Sequence, residues 1–230
     1  MVDTNEGALL TERTRIKTPR PATPEAVSEV VAEIVRSTET DERVGVGFPA
    51  VVWDGRVYSA NNIDDAWIGR NARDALAEAS GAEIVLVNDA DAAGIAESAF
   101  GAARDVEGLA IVITFGTGIG SGAIFNGRLV PNFELGVIEL EGHHPAELHF
   151  SAKARKREEL SWEAWGGRAN HFLTHIHSVL NPTLMVFGGG ITKFWDEFSP
   201  YIDDQLPVVP ASMLNNAGLI GAAVAAERYG

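Results

Sequence analysis

Apolar residues recur along this chain with two periods. In PEAVSEVVAEIVRS, residues 24–37, Val27, Val30, Val31, Ile34 and Val35 fall three or four positions apart, the spacing of one helix face. Thr23 ahead of Pro24 and Glu25 supplies an N-cap with proline at the first helical position. Shorter continuous apolar runs read as buried strands: RVGVGFPAVV stopped by Pro49, AEIVLV before NDAD, LAIVITF before a glycine-rich turn, and TLMVF before a glycine triplet. ALLTERTRIKT near the start is strand-like and is followed by prolines at 19, 21 and 24. DGRVYSANNI reads as a glycine turn and a short strand. LSWEAWGGRANHFLTHIHSVL and AGLIGAAVAAERYG read as helices, the second built of small residues. Strands alternating with helices predict an α/β fold. The strand, turn, strand, turn, strand of LAIVITFGTGIGSGAIFNGRLV, with Asn126-Gly127 as its second turn, predicts mixed sheets.

The 230 residues are 46% hydrophobic, enough for one large domain or two small lobes around a cleft. The absence of cysteine excludes disulfides, thiolate nucleophiles and Cys-ligated zinc. No apolar run approaches the roughly 20 residues that span a bilayer, and MVDTNEGALLTERTRIK lacks a signal-peptide core. The expectation is a soluble cytoplasmic protein without a membrane partner. The net charge, 18 − 32 = −14, disfavours nucleic acid and repels anionic substrates. A phosphate-handling protein of this charge needs a local basic patch or a metal ion.

The densest glycine segment is TFGTGIGSG, residues 114–122. It is not a Walker A loop, because no Lys-Ser/Thr follows, and not a dinucleotide fingerprint, because a strand rather than a helix comes next. Two readings stand: a tight hairpin, or a backbone cradle in which amides and the hydroxyls of Thr114, Thr117 and Ser121 face phosphoryl oxygens. VFGGGIT, residues 186–192, repeats the strand-then-glycine form and leads toward a helix start. Asn88 and Asp89 follow an apolar strand, where ligand-facing groups collect, and are equally good helix caps. NFELGVIELEGHHPAE brings together Glu134, Glu139, Glu141, Glu147, His143 and His144, either a solvated acidic loop or a polar site. His171, His175 and His177 share a predicted helix, with ordinary surface histidines the simpler reading than a zinc pair.

Taken in order, LVNDADAAGIAE, ITFGTGIGSGAIFNGRLVPN, ELG with IELEGH, LSWEAW, LMVFGGGIT and AGLIGAA resemble the polyphosphate glucokinases of the ROK group of sugar kinases. The resemblance runs from about the PATPEAV helix to the end. It implies a two-lobed actin-like, ribonuclease-H-like fold: a small lobe at 1–88, a large lobe at 89–216 with the glycine-rich loop, and a C-terminal helix at 217–230 returning toward the small lobe. It implies phosphoryl transfer from inorganic polyphosphate, and ATP, to the 6-hydroxyl of glucose, with Mg2+ bridging donor oxygens, in a homodimer. Asp89 then takes the place of the catalytic base. Asn62, Asn88, Glu134 and Glu147 match sugar-binding positions. Thr114, Gly116, Thr117 and Gly118 match one phosphate loop, and Gly188, Gly189 and Gly190 a second turn near the donor. Lys153, Arg155, Lys156 and Arg157 offer a hold for a polyphosphate tail, or a solvated helix face.

The chain departs from that pattern in places. The family's first strand and Asp-x-Gly-Gly-Thr-type loop have no counterpart here, so the expectation is a fold lacking them and a weak or inactive chain. Val137 stands where the family has a sugar-contacting histidine, which removes a hydrogen bond and keeps open an ATP glucokinase, a glucomannokinase or a non-catalytic sugar binder. Asp65 and Ala50 replace a common lysine and glycine.

Overall fold

A computed structural model describes residues 1–38, 40 and 42–229. The chain forms two compact units, Met1–Ala96 with Gly218–Gly230, and Glu97–Ala217. Gly230, the end of the last predicted helix, lies outside the described residues.

The first unit opens with the short antiparallel strands β1 (Val2–Asp3) and β2 (Ala8–Leu9). The strand expected across ALLTERTRIKT goes no further than Leu9, and residues 10–18 are exposed. Thr11 to Arg15 are all polar, so that stretch has no apolar face to bury. Helix α1 (Pro24–Thr38) starts where expected, with Thr23 Oγ1 accepting from the Ala26 amide at 3.3 Å. Strand β3 (Val44–Phe48) precedes the hairpin of β4 (Val52–Trp53) and β5 (Arg56–Val57). Its turn, Asp54-Gly55, holds both residues at positive φ, 46° and 74°. Helix α2 (Ala72–Ser80) is capped by Asn71 and ends at the left-handed Gly81. Strand β6 (Ile84–Asn88) pairs in parallel with β3 and runs directly into α3 (Asp89–Phe100). Phe48, Val57, Trp67, Leu76 and Ile84 form this unit's core, with Val27 and Val31 of α1 packed against it. Trp67 meets Phe48 edge-on at 5.0 Å, and its indole N–H donates to the Ala22 carbonyl at 3.1 Å.

The second unit contains β7 (Leu109–Phe115), β8 (Ile119–Phe125), β9 (Arg128–Val130), α4 (Glu147–Phe150), α5 (Ala152–Arg157), α6 (Trp162–Leu180), β10 (Leu184–Gly188), α7 (Trp195–Phe198) and β11 (Val208–Pro210). Its sheet has the order β11-β10-β7-β8-β9, parallel across β11, β10 and β7 and antiparallel from β7 to β9. The sheets are therefore mixed, as expected. The uninterrupted apolar run of β7 reflects burial on both faces. Ile111, Ile113 and Phe115 pack with Trp165, Phe172, Leu173 and Ile176 of α6, while Ala110 and Val112 pack with Ile124 and Val186 on the other face. Ser161 caps α6 through the Ala164 amide at 3.1 Å.

The closing helix α8 (Ala217–Tyr229) explains its own composition. A Cβ on Gly221 would lie 1.6 Å from the Ala92 carbonyl oxygen, and one on Gly45 would lie 1.8 Å from that of Ala222. Within the first unit α8 thus touches α3 and β3 backbone to backbone, which only small residues permit. Among the described residues no helix is long and apolar enough to cross a membrane. We expect Gly221→Ala to destabilise the fold by about 1–3 kcal/mol, the cost of overpacking, seen as a lowered thermal midpoint. Gly218→Ala on the same helix, where a Cβ meets nothing within 4 Å, is expected to hold or raise that midpoint.

Candidate active site

The β6–α3 corner forms the first group of candidate residues. Asn88 is 7% exposed and ends β6. Its Oδ1 accepts from the amides of Ala90 and Asp91 at 2.8 and 3.1 Å, so it caps α3, while its Nδ2 donates to the Ala50 carbonyl at 3.0 Å. The cap uses the acceptor, and Ala50 uses one of the two amide hydrogens. Asp89, one residue on, is exposed, yet protein crowds it enough that desolvation pushes its carboxyl above the ordinary aspartate value of 3.8. The amides of Ala90 and Asp89 itself act in the opposite direction, less strongly. Asn62 is exposed in the loop after β5, next to Ile63, which packs on the core of the first unit.

The glycine turns are in the second unit, and the structure brings them together. Strands β7 and β10 pair in parallel with Thr114 opposite Gly188, so TFGTG and FGGG leave the same end of the sheet side by side. Gly189, at φ 93°, lies so close to β7 that a Cβ would be 2.4 Å from the Phe115 oxygen. A Cβ at Gly116 or Gly190 would meet nothing within 4 Å, so both turns present bare backbone outward. The hairpin and cradle readings are compatible: β7 and β8 are a hairpin, and Thr117 at its tip is exposed. The Gly116 amide is used internally, donating to the Gly118 oxygen at 2.9 Å. After Gly190 comes a short 3-10 turn, Thr192–Phe194, and then the four-residue α7, a weaker helix start than expected.

One expectation is corrected. Ser121 does not point its hydroxyl at phosphate. It is buried, donates to the Phe133 oxygen at 2.5 Å and accepts from the Leu135 amide at 3.0 Å. It therefore pins the loop that carries Glu134. Thr114 Oγ1 reaches the Gly120 oxygen only at 3.4 Å.

Glu147 is set against the glycine loop. Its Oε2 accepts from the Ile119 amide at 2.9 Å and occupies the space a Cβ on Gly118 would need, 2.1 Å away. Gly136 completes the fit, since a Cβ there would meet the Ile119 oxygen at 2.2 Å and Glu147 Oε2 at 3.2 Å. Val137, next in the 3-10 turn Leu135–Val137, is half-buried. His143 is committed elsewhere, stacked on His149 with centroids 3.7 Å apart. Burial first, then the charges of Arg168 and His143, lowers the His149 pKa. His171 faces Glu141 at 3.2 Å, and no described group of three or more His, Asp or Glu residues could hold a metal ion.

The four basic residues of α5 separate. Arg155 stacks its guanidinium 3.4 Å above the Trp162 ring. Arg157 donates to the Leu148 oxygen at 2.7 Å and to Glu158. Lys153 and Lys156 are exposed, and the Lys153 amide donates to the Gly116 oxygen at 3.0 Å, which ties α5 to the glycine loop. Sequence reasoning missed this tie because it is a backbone bond, indifferent to side-chain identity.

A raised carboxylate pKa has a stability consequence with a definite sign. The folded chain holds the Asp89 proton more tightly than the unfolded chain, so this contribution is present at low pH and lost as pH rises through the folded pKa. Asp89→Asn is therefore expected to raise the thermal midpoint at pH 7, with the gain shrinking as the pH falls through the raised folded pKa and absent below the ordinary aspartate value of 3.8.

The chain matches the ROK family over residues 1–147. It is 41% identical to polyphosphate glucokinase of Mycobacterium tuberculosis (strain CDC 1551 / Oshkosh) over 226 residues, 98% of this chain and 85% of that relative. The crystal structure of inorganic polyphosphate/ATP-glucomannokinase from Arthrobacter sp. strain KM superposes with a TM-score of 0.95 at 42% identity, covering 100% of this chain and 93% of that one. A ROK family glucokinase from Streptomyces griseus in complex with glucose and AMPPNP gives a TM-score of 0.81 at 25% identity, over 96% and 93% of the two chains. With the family matched over more than half its length and the α/β sugar-kinase fold in place, this chain belongs to the ROK family.

Proposed function

We propose that this chain transfers a phosphoryl group from inorganic polyphosphate or ATP to the 6-hydroxyl of glucose. The observation that carries the reading is the side-by-side exit of two bare glycine turns from parallel β7 and β10, with the carboxylate of Glu147 set against one of them. Relatives named for this reaction, at 41% identity across 98% of the chain, support it.

In this reading the backbone of Gly116–Gly118 and Gly188–Gly190 receives the donor phosphates, where open peptide groups approach oxygen closely. The remaining amide hydrogen of Asn88, with Asn62, Glu134 and Glu147, meets sugar hydroxyls, each of which both donates and accepts. Asp89 accepts the proton of the 6-hydroxyl as that oxygen bonds to phosphorus and the bond to the leaving phosphate breaks with its electron pair. In a loose transition state that proton leaves late, so Asp89 works mainly by orienting the hydroxyl. Mg2+ would be the metal of this reaction, bound together with the donor. It would offset donor charge. Lys153, tied at its amide to Gly116, and Lys156, one turn further along α5, supply local positive charge to a protein of net charge −14.

The solved relative named as a glucomannokinase, at 42% identity, favours a second acceptor, mannose, at the same site. Comparing initial rates with glucose and mannose at saturating donor decides whether it is used.

Asp89→Asn is expected to lower kcat by about 10²–10⁴-fold while glucose affinity, measured by calorimetry, stays within a few-fold. Retention of most of the turnover would remove Asp89 from the base role. The acidic limb of the kcat/KM profile is expected above the ordinary aspartate value of 3.8, since activity needs the ionised form and the pKa is raised. Replacing Lys153 and Lys156 together by Ala is expected to weaken long-chain polyphosphate more than ATP, with a reduced salt dependence.

A further inference from the structure

Glu97 is a carboxylate that the sequence reading passed over. It lies on α3 and is 0% exposed. Four donors converge on it: the amides of Ala102, Ser212 and Met213 at 2.8, 3.3 and 2.8 Å, and the Ser212 hydroxyl at 3.2 Å. Gly101 makes room for it, because a Cβ there would lie 2.1 Å from Glu97 Oε2. No described lysine or arginine forms an ion pair with it. A carboxylate is buried this way where many hydrogen bonds replace its water. What it holds is the loop after β11, from Ala211 to Asn216.

That loop belongs to the same sheet end as the glycine turns. β11 pairs in parallel with β10, Pro210 opposite Phe187, and the Ala211 amide donates to the Phe187 oxygen at 2.9 Å. Beyond the clamp, Leu214 is held at φ 48°, a left-handed conformation unfavourable for a branched side chain, and is 61% exposed. Phe194, in the turn that follows the Gly188–Gly190 triplet, is 41% exposed. The loops that follow two neighbouring strand ends therefore each carry one exposed apolar side chain, Phe194 leaning on Trp162 with ring centroids 5.0 Å apart. A single exposed leucine is ordinary; one in a strained backbone conformation, on a loop anchored by a buried carboxylate beyond the carboxyl end of a parallel strand, is a candidate for a ligand contact.

We propose that Leu214, next to the Ser212-Met213 pair that Glu97 holds, is a contact for the base of a nucleoside triphosphate donor, and that inorganic polyphosphate, which has no base, does not use it. Glu97 acts as a positioning residue through the loop. The inference rests on the assignment of the glycine turns to the donor. It makes donor choice separable: the phosphates share one cradle, while Leu214 and Phe194 respond only to the nucleoside end. Inorganic polyphosphate is acidic and fully hydrated, with no surface for an apolar contact to desolvate.

The test is calorimetric binding of a non-hydrolysable ATP analogue and of tripolyphosphate to the full chain, which needs no turnover. Leu214→Asn is the chosen variant, because asparagine tolerates the left-handed conformation and leaves the clamp intact. The analogue's affinity is expected to fall about tenfold, with that of tripolyphosphate changed less than twofold. Glu97→Gln, similar in shape but unable to accept all the converging donors, is expected to show the same donor-selective loss, with faster hydrogen exchange at the Ser212 and Met213 amides. Equal effects of Leu214→Asn on both ligands, no effect on either, or no binding of the analogue by the unmodified chain would each overturn the proposal. Phosphorylation of glucose from polyphosphate, assayed alongside, stands or falls separately.

Discussion

The second unit depends on one close backbone contact. Gly189 at φ 93° lets β10 turn away directly against Phe115, where any side chain would collide with the peptide of β7. The parallel pairing of β7 with β10 then continues to the last residue of β10, Gly188 opposite Thr114. Beneath it Phe115 and Phe187 stack at 4.5 Å, and Trp165 meets both edge-on at 5.9 and 6.3 Å. These buried aromatics make the two strand ends one rigid body, since aromatic pairs of this kind add to the burial of their area. Two open glycine turns on a common packed base form a preorganised surface, and preorganisation is what electrostatic binding of phosphate requires.

At the β6–α3 corner, structure and chemistry occupy adjacent residues. Asn88 bonds the first turn of α3 and the Ala50 carbonyl, so the strand end, the helix start and the segment after β3 are tied through one side chain. Asp89 is thereby held on the first residue of a capped helix rather than on a loose loop. Its carboxylate is disfavoured by crowding more than the amides of Ala90 and Asp89 favour it. A crowded carboxylate of this kind is consistent with the base role proposed for Asp89.

Much of this was legible in the sequence, and what failed did so for identifiable reasons. Strands β3, β6, β7 and β10 and helices α1, α6 and α8 follow from apolar periodicity and capping residues, because burial on a defined face leaves a pattern in the letters. ALLTERTRIKT failed because its β-like residues have no apolar partner face. Ser121 and Arg155 were hard to place because a hydroxyl beside glycines and an arginine in a basic run look available until the chain is folded. The first then proves to hold Phe133 and Leu135, the second to lie on Trp162. Glu97 left no signal at all: a glutamate in a helix of small residues reads as solvated, and two of its partners, Ser212 and Met213, lie 115 and 116 positions away.

Charge organises what remains. A chain of net charge −14 must attract a polyanion by local means. Among the α5 cations, Arg155 lies on an aromatic face and Arg157 is hydrogen-bonded to the Leu148 oxygen and Glu158, which leaves Lys153 and Lys156 exposed. Ammonium groups are strongly hydrated point charges that bind phosphate without demanding one geometry, whereas guanidinium prefers fixed bidentate partners. A donor whose identical phosphates must advance through one site after each transfer needs weak, geometry-tolerant contacts along its length and rigid ones only at the reacting end. In the proposed reading the exposed lysines and the bare glycine turns divide those two requirements between them, and the bond from the Lys153 amide to the Gly116 oxygen joins them.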